Sequence, residues 1–155
     1  MKQSVYLDTT ILSYLFDRRE SLKNFIDVTK EWWETQREYY NLYLSIETLA
    51  ELRGGNYPQK EKAVRLAETI EVLPRVEDIV EIAEIYIKNY LMPNDLKGDA
   101  IHLAYASIYK IDFLLTWNCK HLANANKKIH IRKINTKLGI FVPEIITPLE
   151  LFKEG

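Results

Sequence analysis

The chain has 155 residues, 47% of them apolar, with 21 basic and 22 acidic side chains. That length suits a single domain spanning 1–155, able to bury roughly 70% of its unfolded surface. A net charge of −1 excludes a nucleic-acid binder announced by global charge, and one cysteine, Cys119, excludes an internal disulfide framework. The lone cysteine fits a reducing cytosol. Met1-Lys2-Gln3-Ser4 leads straight into the first strand with no signal peptide, and no apolar run approaches a membrane span, so the expected location is cytoplasmic.

Strand-like and helical runs alternate. Val5-Tyr6-Leu7 reads as a short buried strand, and a helix is expected near 10–17 from Ile11, Leu12, Tyr14, Leu15 and Phe16. A longer helix runs from about 20 to 40, where Leu22, Phe25, Ile26, Thr29, Trp32 and Trp33 keep helical spacing. Leu42 to Ser45 is a second strand, and Ser45 is placed to cap a helix ending at Gly54-Gly55. A helix from about Pro58 to Thr69, a strand over 70–73 and a helix over 76–90 follow. Met92 to Asp95 is a loop and Gly98 to Tyr109 a helix. Phe113 to Thr116 is a strand with a short helix after it. Ile129 to Ile134 is expected as a further strand, and Ile145 to Thr147 is extended before Pro148. Alternating βα units predict an α/β fold: a three-layer α/β/α sandwich around a central parallel sheet.

Three acids stand out by position. Asp8 ends the first strand, where open α/β sheets bind ligands, and it is equally placed to cap the following helix. Glu51 lies on the helix after the second strand, with Glu47 one turn before it on the same face. Asp99 opens the helix before the strand at 113–116, with Asp95 four residues earlier. Each has a plain structural reading, as a cap, a solvated helix residue or a first-turn acid. Right-handed crossovers bring such elements to one sheet edge, where clustered carboxylates repel unless cations bind. Oxygen donors without a cysteine or histidine pair favour Mg²⁺ or Mn²⁺, which can activate water for phosphodiester cleavage.

These residues resemble a PIN domain, and more narrowly a VapC-type toxin ribonuclease of a toxin–antitoxin pair. The likeness rests on Val5-Tyr6-Leu7-Asp8-Thr9-Thr10, on Ser45 to Gly54 with Glu51, on Gly98-Asp99-Ala100-Ile101-His102-Leu103-Ala104, on Phe113 to Leu122, and on Ile146 to Leu151. It covers nearly the whole chain in order. The resemblance implies Mg²⁺- or Mn²⁺-dependent endonucleolytic cleavage of RNA, giving 5′-phosphate and 3′-hydroxyl products. It also implies dimerisation and inhibition by a small antitoxin protein. It assigns Asp8, Glu51 and Asp99 as metal-binding catalytic acids, assisted by Asn118. By their positions beside these acids, Thr9, Thr116, Trp117 and Lys120 are expected to bind substrate. One departure stands in the fourth motif: Asn118 occupies the place of an acid and His121 that of another. Asn118 can offer a neutral carbonyl oxygen to a metal or a hydrogen bond to a ligated water, but no charge, so a second ion is expected to bind weakly. The alternative is a catalytically weakened PIN-fold module that binds RNA or protein.

From Phe113 to Pro143 there is no acid, while Lys120, Lys127, Lys128, Arg132, Lys133 and Lys137 are present with His121 and His130. This stretch reads either as a surface for an RNA backbone or as a solvated face paired with acids elsewhere. Core packing accounts for most of the aromatics on the long helix, Trp32, Trp33, Tyr39 and Tyr40; adjacent tryptophans point about 100° apart, which leaves room for one to be exposed and to suit a dimer or antitoxin contact. Trp117 is placed to stack on a base or to pack. His102, one turn after Asp99, reads as a packed, hydrogen-bonded histidine, the other reading being a contact to substrate phosphate. A Cys119–His121 nucleophile is disfavoured, because residues two apart do not face each other on a helix. A phosphotransfer domain with Asp8 as nucleophile is disfavoured by Thr10, where a second Asp is usual.

Overall fold

Five parallel strands form one sheet in the order β3-β2-β1-β4-β5, namely β1 Gln3–Leu7, β2 Tyr40–Ser45, β3 Glu71–Leu73, β4 Phe113–Leu115 and β5 Glu144–Ile146. A computed structural model of the protein describes residues 1–89 and 98–153, and these form one three-layer α/β/α sandwich. The loop expected over 92–95, with Asp95, and the last residue of the helix expected to reach 90 lie outside the described residues.

The helices are α1 Thr9–Tyr14, α2 Lys23–Gln36, α3 Ile46–Gly54, α4 Lys60–Ala67, α5 Glu77–Lys88, α6 Asp99–Ile108 and α7 Ala125–Leu138. Every crossover between neighbouring parallel strands carries at least one of them, as parallel pairing requires. The period-two pleat divides the central strand between two cores. Val5 and Leu7 pack with Ile11, Leu12, Trp32 and Leu52 under α1 to α4. Tyr6 points the other way and packs with Ile79, Tyr86, Ile101 and Leu103 under α5 to α7. Each fully buried aliphatic side chain contributes roughly 1.5–3 kcal/mol, so the central strand anchors both layers.

Two expectations are corrected. Residues 129–134 are not a strand but the middle of α7. The Ile129–Ile131 alternation suggested a pleat, yet Ile129 is half exposed while Ile131, Ile134 and Asn135 are buried at helical spacing. Asn124 caps the helix by accepting from the Lys127 N–H at 2.9 Å, and Gly139 ends it at φ +72°, a left-handed conformation that suits glycine. The second correction concerns the tryptophans of α2. Trp32 and Trp33 are both buried, their rings tilted against each other, so neither is free for a partner. No helix among the described residues is long and apolar enough to cross a membrane.

Candidate active site

The strand order reverses direction between β1 and β4, and the crevice beyond their carboxyl ends is where open α/β sheets place ligands. Asp8 follows β1 directly. It is 3% exposed and does both jobs open to it. As N-cap of α1 its Oδ1 accepts from the Thr10 N–H at 2.9 Å and from Thr10 Oγ1 at 2.5 Å. Its Oδ2 accepts from the hydroxyl of Thr116, at the end of β4. That hydroxyl also accepts from the Asn118 N–H at 2.9 Å, so the β4 turn is tied to Asp8.

Glu51 reaches the same crevice from α3, whose start is set by Ser45 accepting from the Thr48 N–H at 3.2 Å. Its Oε2 accepts from Thr9 Oγ1 at 3.1 Å, and its Oε1 lies 2.5 Å from His102 Nε2. Glu47, the other α3 acid, is committed elsewhere: Arg75 donates Nε–H to its Oε1 at 2.6 Å and pairs with it through a second nitrogen. The two glutamates, equivalent by spacing, are thus separated by their partners.

Asp99 enters at the first turn of α6, half-buried, and its Oδ2 accepts from Asn118 Nδ2 at 2.8 Å. Asn118 Oδ1 accepts from the His121 N–H at 3.0 Å. A backbone donor on one side and a carboxylate acceptor on the other fix which way the amide points. Asn118 therefore turns its NH₂ toward Asp99, not the carbonyl oxygen foreseen as a metal donor. It clamps a neighbouring acid instead.

His102, also on α6, is buried beneath the site. Its Nδ1 lies 2.6 Å from Tyr6 Oη, which in turn is 2.7 Å from Ser45 Oγ. A chain of hydrogen bonds thus runs from the α3 cap through β1 and α6 to Glu51. Sequence reading missed Tyr6 and Thr10 in this setting. Their signals were weak: a tyrosine hydroxyl on an inward strand position needs a buried partner, and Thr10 follows an Asx-type cap.

The acids interact. Burial pushes the Asp8 carboxyl above its ordinary value, and Asp99 adds to the rise, against His102 and the hydroxyls of Thr10 and Thr116. Burial likewise raises Asp99, opposed by His102, Asn118 and His121 and reinforced by Glu51. For His102, burial favours the neutral ring, but Glu51, Asp8 and Asp99 outweigh it and hold the imidazole above its ordinary value. Among the described residues no three His, Cys, Asp or Glu side chains stand together as a ready metal cage. The donor set nevertheless has the chemistry of a hard-cation site: carboxylates from three elements, two of them carrying a charge cost that a divalent ion would relieve.

The residues expected near substrate fall into two groups. Thr9 and Thr116 are at the site, each donating its hydroxyl to an acid. Lys120 is exposed beyond β4. Trp117 is a correction: it is buried, stacked on Tyr14 with Phe25 against its edge, and its indole N–H donates to Thr29 Oγ1 at 2.7 Å. Its faces are taken by packing, which leaves no platform for a base. The basic stretch lies largely on α7. Lys128 approaches Glu150 at 3.9 Å, while Lys120, Arg132, Lys133 and Lys137 have no ion-pair partner among the described residues.

A parallel sheet in this order, with acids just after β1, on α3 and at the start of α6 beside its switch point, defines a class of α/β domain that gathers carboxylates beyond one sheet edge. The chain belongs to the PIN domain family, whose profile matches residues 5–127. The fold is that of solved toxin structures. A toxin–antitoxin complex from Klebsiella pneumoniae is 23% identical with TM-score 0.60, covering 95% of this chain and 99% of that one. VapBC-1 from nontypeable Haemophilus influenzae is 22% identical with TM-score 0.59, covering 96% and 100%. VapC20 from Mycobacterium tuberculosis, a toxin that cleaves the sarcin-ricin loop, is 15% identical with TM-score 0.58, covering 76% and 92%. No curated protein matches the chain in sequence.

Proposed function

We propose that the protein is a divalent-metal-dependent endoribonuclease, the toxin of a toxin–antitoxin pair. The observation that carries this reading is the convergence of Asp8, Glu51 and Asp99 beyond the carboxyl ends of β1 and β4, at the switch point of a PIN fold. Asp8, Glu51 and Asp99 would hold Mg²⁺ or Mn²⁺, which when bound supplies an activated water and charge neutralisation at the leaving oxygen.

The chain's own residues do the positioning. Thr10 and Thr116 aim the Asp8 carboxylate, His102 and Thr9 aim that of Glu51, and Asn118 aims that of Asp99. Lys120, Arg132, Lys133 and Lys137, which have no ion-pair partner among the described residues, offer charge for the RNA backbone. An antitoxin partner belongs to the same reading, supported by the likeness to toxin–antitoxin complexes; self-association as a homodimer and a cytoplasmic setting are part of the proposal.

The alternative, a binding module without catalysis, draws on Asn118, which adds no charge to the acids. One experiment separates them: incubation of structured RNAs with Mn²⁺ or with chelator, using wild type, Asp8→Asn and Asp99→Asn. Cleavage by wild type with Mn²⁺ alone, lost in both variants, supports the nuclease. RNA binding without cleavage by wild type supports the module, and undiminished cleavage by either variant refutes the acid assignment.

A further inference from the structure

A cavity of about 660 Å³ opens beside the acid cluster, between α1, α3 and the segment leading to α4. Thr9 and Glu51 of the cluster form part of its wall. Arg18, Asn56 and Tyr57, which the site does not otherwise use, form another part. The volume is that of a small-molecule or nucleotide pocket.

Tyr57 is built into this wall. Its hydroxyl donates to the Leu52 carbonyl at 2.9 Å. A Cβ at Gly55 would come within 2.8 and 2.9 Å of two carbons of the Tyr57 ring, so only glycine lets the ring lie this close to the backbone. The two arginines differ. Arg19 is neutralised by Asp17, to which it donates from both Nε and Nη2. Arg18 is exposed, and its guanidinium has no ion pair or hydrogen bond among the described residues. The cavity thus offers an aromatic ring, a free cation and a side-chain amide, next to the proposed cleavage site. Those are the groups that hold one nucleotide of a single strand: a ring for the base, a cation for the phosphate, an amide for the base edge.

We infer that this cavity receives the nucleotide adjoining the scissile phosphate of a single-stranded RNA segment, with Tyr57 against the base and Arg18 on a backbone phosphate. Asn56 is placed to read the base edge. The inference rests on the ribonuclease reading for its substrate, and its test separates the two.

Wild type, Arg18→Ala, Tyr57→Leu and Tyr57→Phe, all full-length and checked for folding by circular dichroism, are titrated against a fluorescein-labelled single-stranded RNA of about ten nucleotides, with chelator present. Cleavage of a longer RNA with Mn²⁺ is mapped in parallel. Arg18→Ala and Tyr57→Leu are expected to weaken binding about tenfold each. Tyr57→Leu also alters the base preference beside the cut, and Tyr57→Phe, which keeps the ring, restores most of the loss. Wild-type cleavage combined with unchanged affinity and unchanged cut-site preference in the variants overturns the cavity assignment and leaves the nuclease standing. Binding without cleavage by wild type removes the nuclease, and the same affinity losses then still support the cavity. Failure of wild type to bind the oligonucleotide overturns the inference and leaves the cavity to a protein segment.

Discussion

His102 Nε2 lies 2.5 Å from Glu51 Oε1, while Nδ1 of the same buried ring lies 2.6 Å from Tyr6 Oη. The imidazole therefore joins the solvent-facing acid to the interior of the sheet. A glutamate has three side-chain torsions to order, and a fixed partner below it removes that freedom before any ligand arrives. His102→Gln should lower Mn²⁺ affinity by about 10–100-fold, the usual cost of losing a partner behind a metal-binding side chain. Titration of Mn²⁺ followed by electron paramagnetic resonance reads this directly. Wild-type affinity in a folded His102→Gln protein would show that Glu51 needs no such support.

Asp8 and Asp99 make the metal-free protein pH-sensitive. Burial raises both carboxyls above their ordinary values, so the fold favours the neutral acids. Their stabilising contribution is full below the ordinary carboxylate value of about pH 4 and is lost as pH rises through the raised values. Relative to a double variant carrying Asp8→Asn and Asp99→Asn, metal-free wild type should lose stability to urea as pH rises from about 4 through the raised values of the two acids. Mn²⁺ at about a hundred times its Kd should return about 2.7 kcal/mol to wild type and nothing to the variant. A stability gap that does not change with pH contradicts the prediction.

Asn118→Asp tests the clamp on Asp99. The substitution exchanges an N–H donor for a second carboxylate beside Asp99 Oδ2. Without metal the variant should be less stable by about 1–3 kcal/mol, from the lost charge-assisted hydrogen bond. With Mn²⁺ its melting temperature should rise further than that of wild type, because the added acid is repaid on binding. Equal metal-induced shifts in the two proteins would argue that position 118 stays outside the ion's reach.

Tyr86 gives a prediction independent of function. Its hydroxyl donates to Asn135 Oδ1 at 2.7 Å and lies 3.0 Å from Ser107 Oγ, tying α5, α6 and α7 together. Burial pushes its pKa up to about 12. The stability this group contributes is full below the unfolded value of about 10 and is lost as pH rises from there to about 12. Tyr86→Phe should cost about 1–3 kcal/mol at neutral pH, because Asn135 and Ser107 lose a buried partner. Alkaline denaturation monitored by far-ultraviolet circular dichroism should become shallower over that range in the variant.

The layer order of the fold was legible because its signals are local. The short apolar run Val5-Tyr6-Leu7, the Ser45 cap and the helical spacing of Ile79, Ala83 and Tyr86 are each carried within a few residues. The strand expected at 129–134 failed for the opposite reason. Two isoleucines at i and i+2 satisfy a pleat, and only the packing of Ile131, Ile134 and Asn135 against the sheet selects the helix. Its caps, Asn124 and Gly139, were readable in the chain and outweigh that alternation.

The sequence by itself determined that strands and helices alternate, that acids stand at the ends of β1, in α3 and at the start of α6, and that Asn118 stands where an acid was expected. Only the tertiary structure decided which carboxylate oxygens face which donors. Glu51 rather than Glu47 enters the crevice because Arg75, 28 residues along from Glu47, takes the other. Trp117 is a packing residue because Tyr14 and Phe25 cover it. Asn118 turns its amide to Asp99 because the His121 backbone occupies its oxygen. Such choices depend on partners brought together by the crossovers, and hydrogen-bond direction and desolvation exist only once those partners meet.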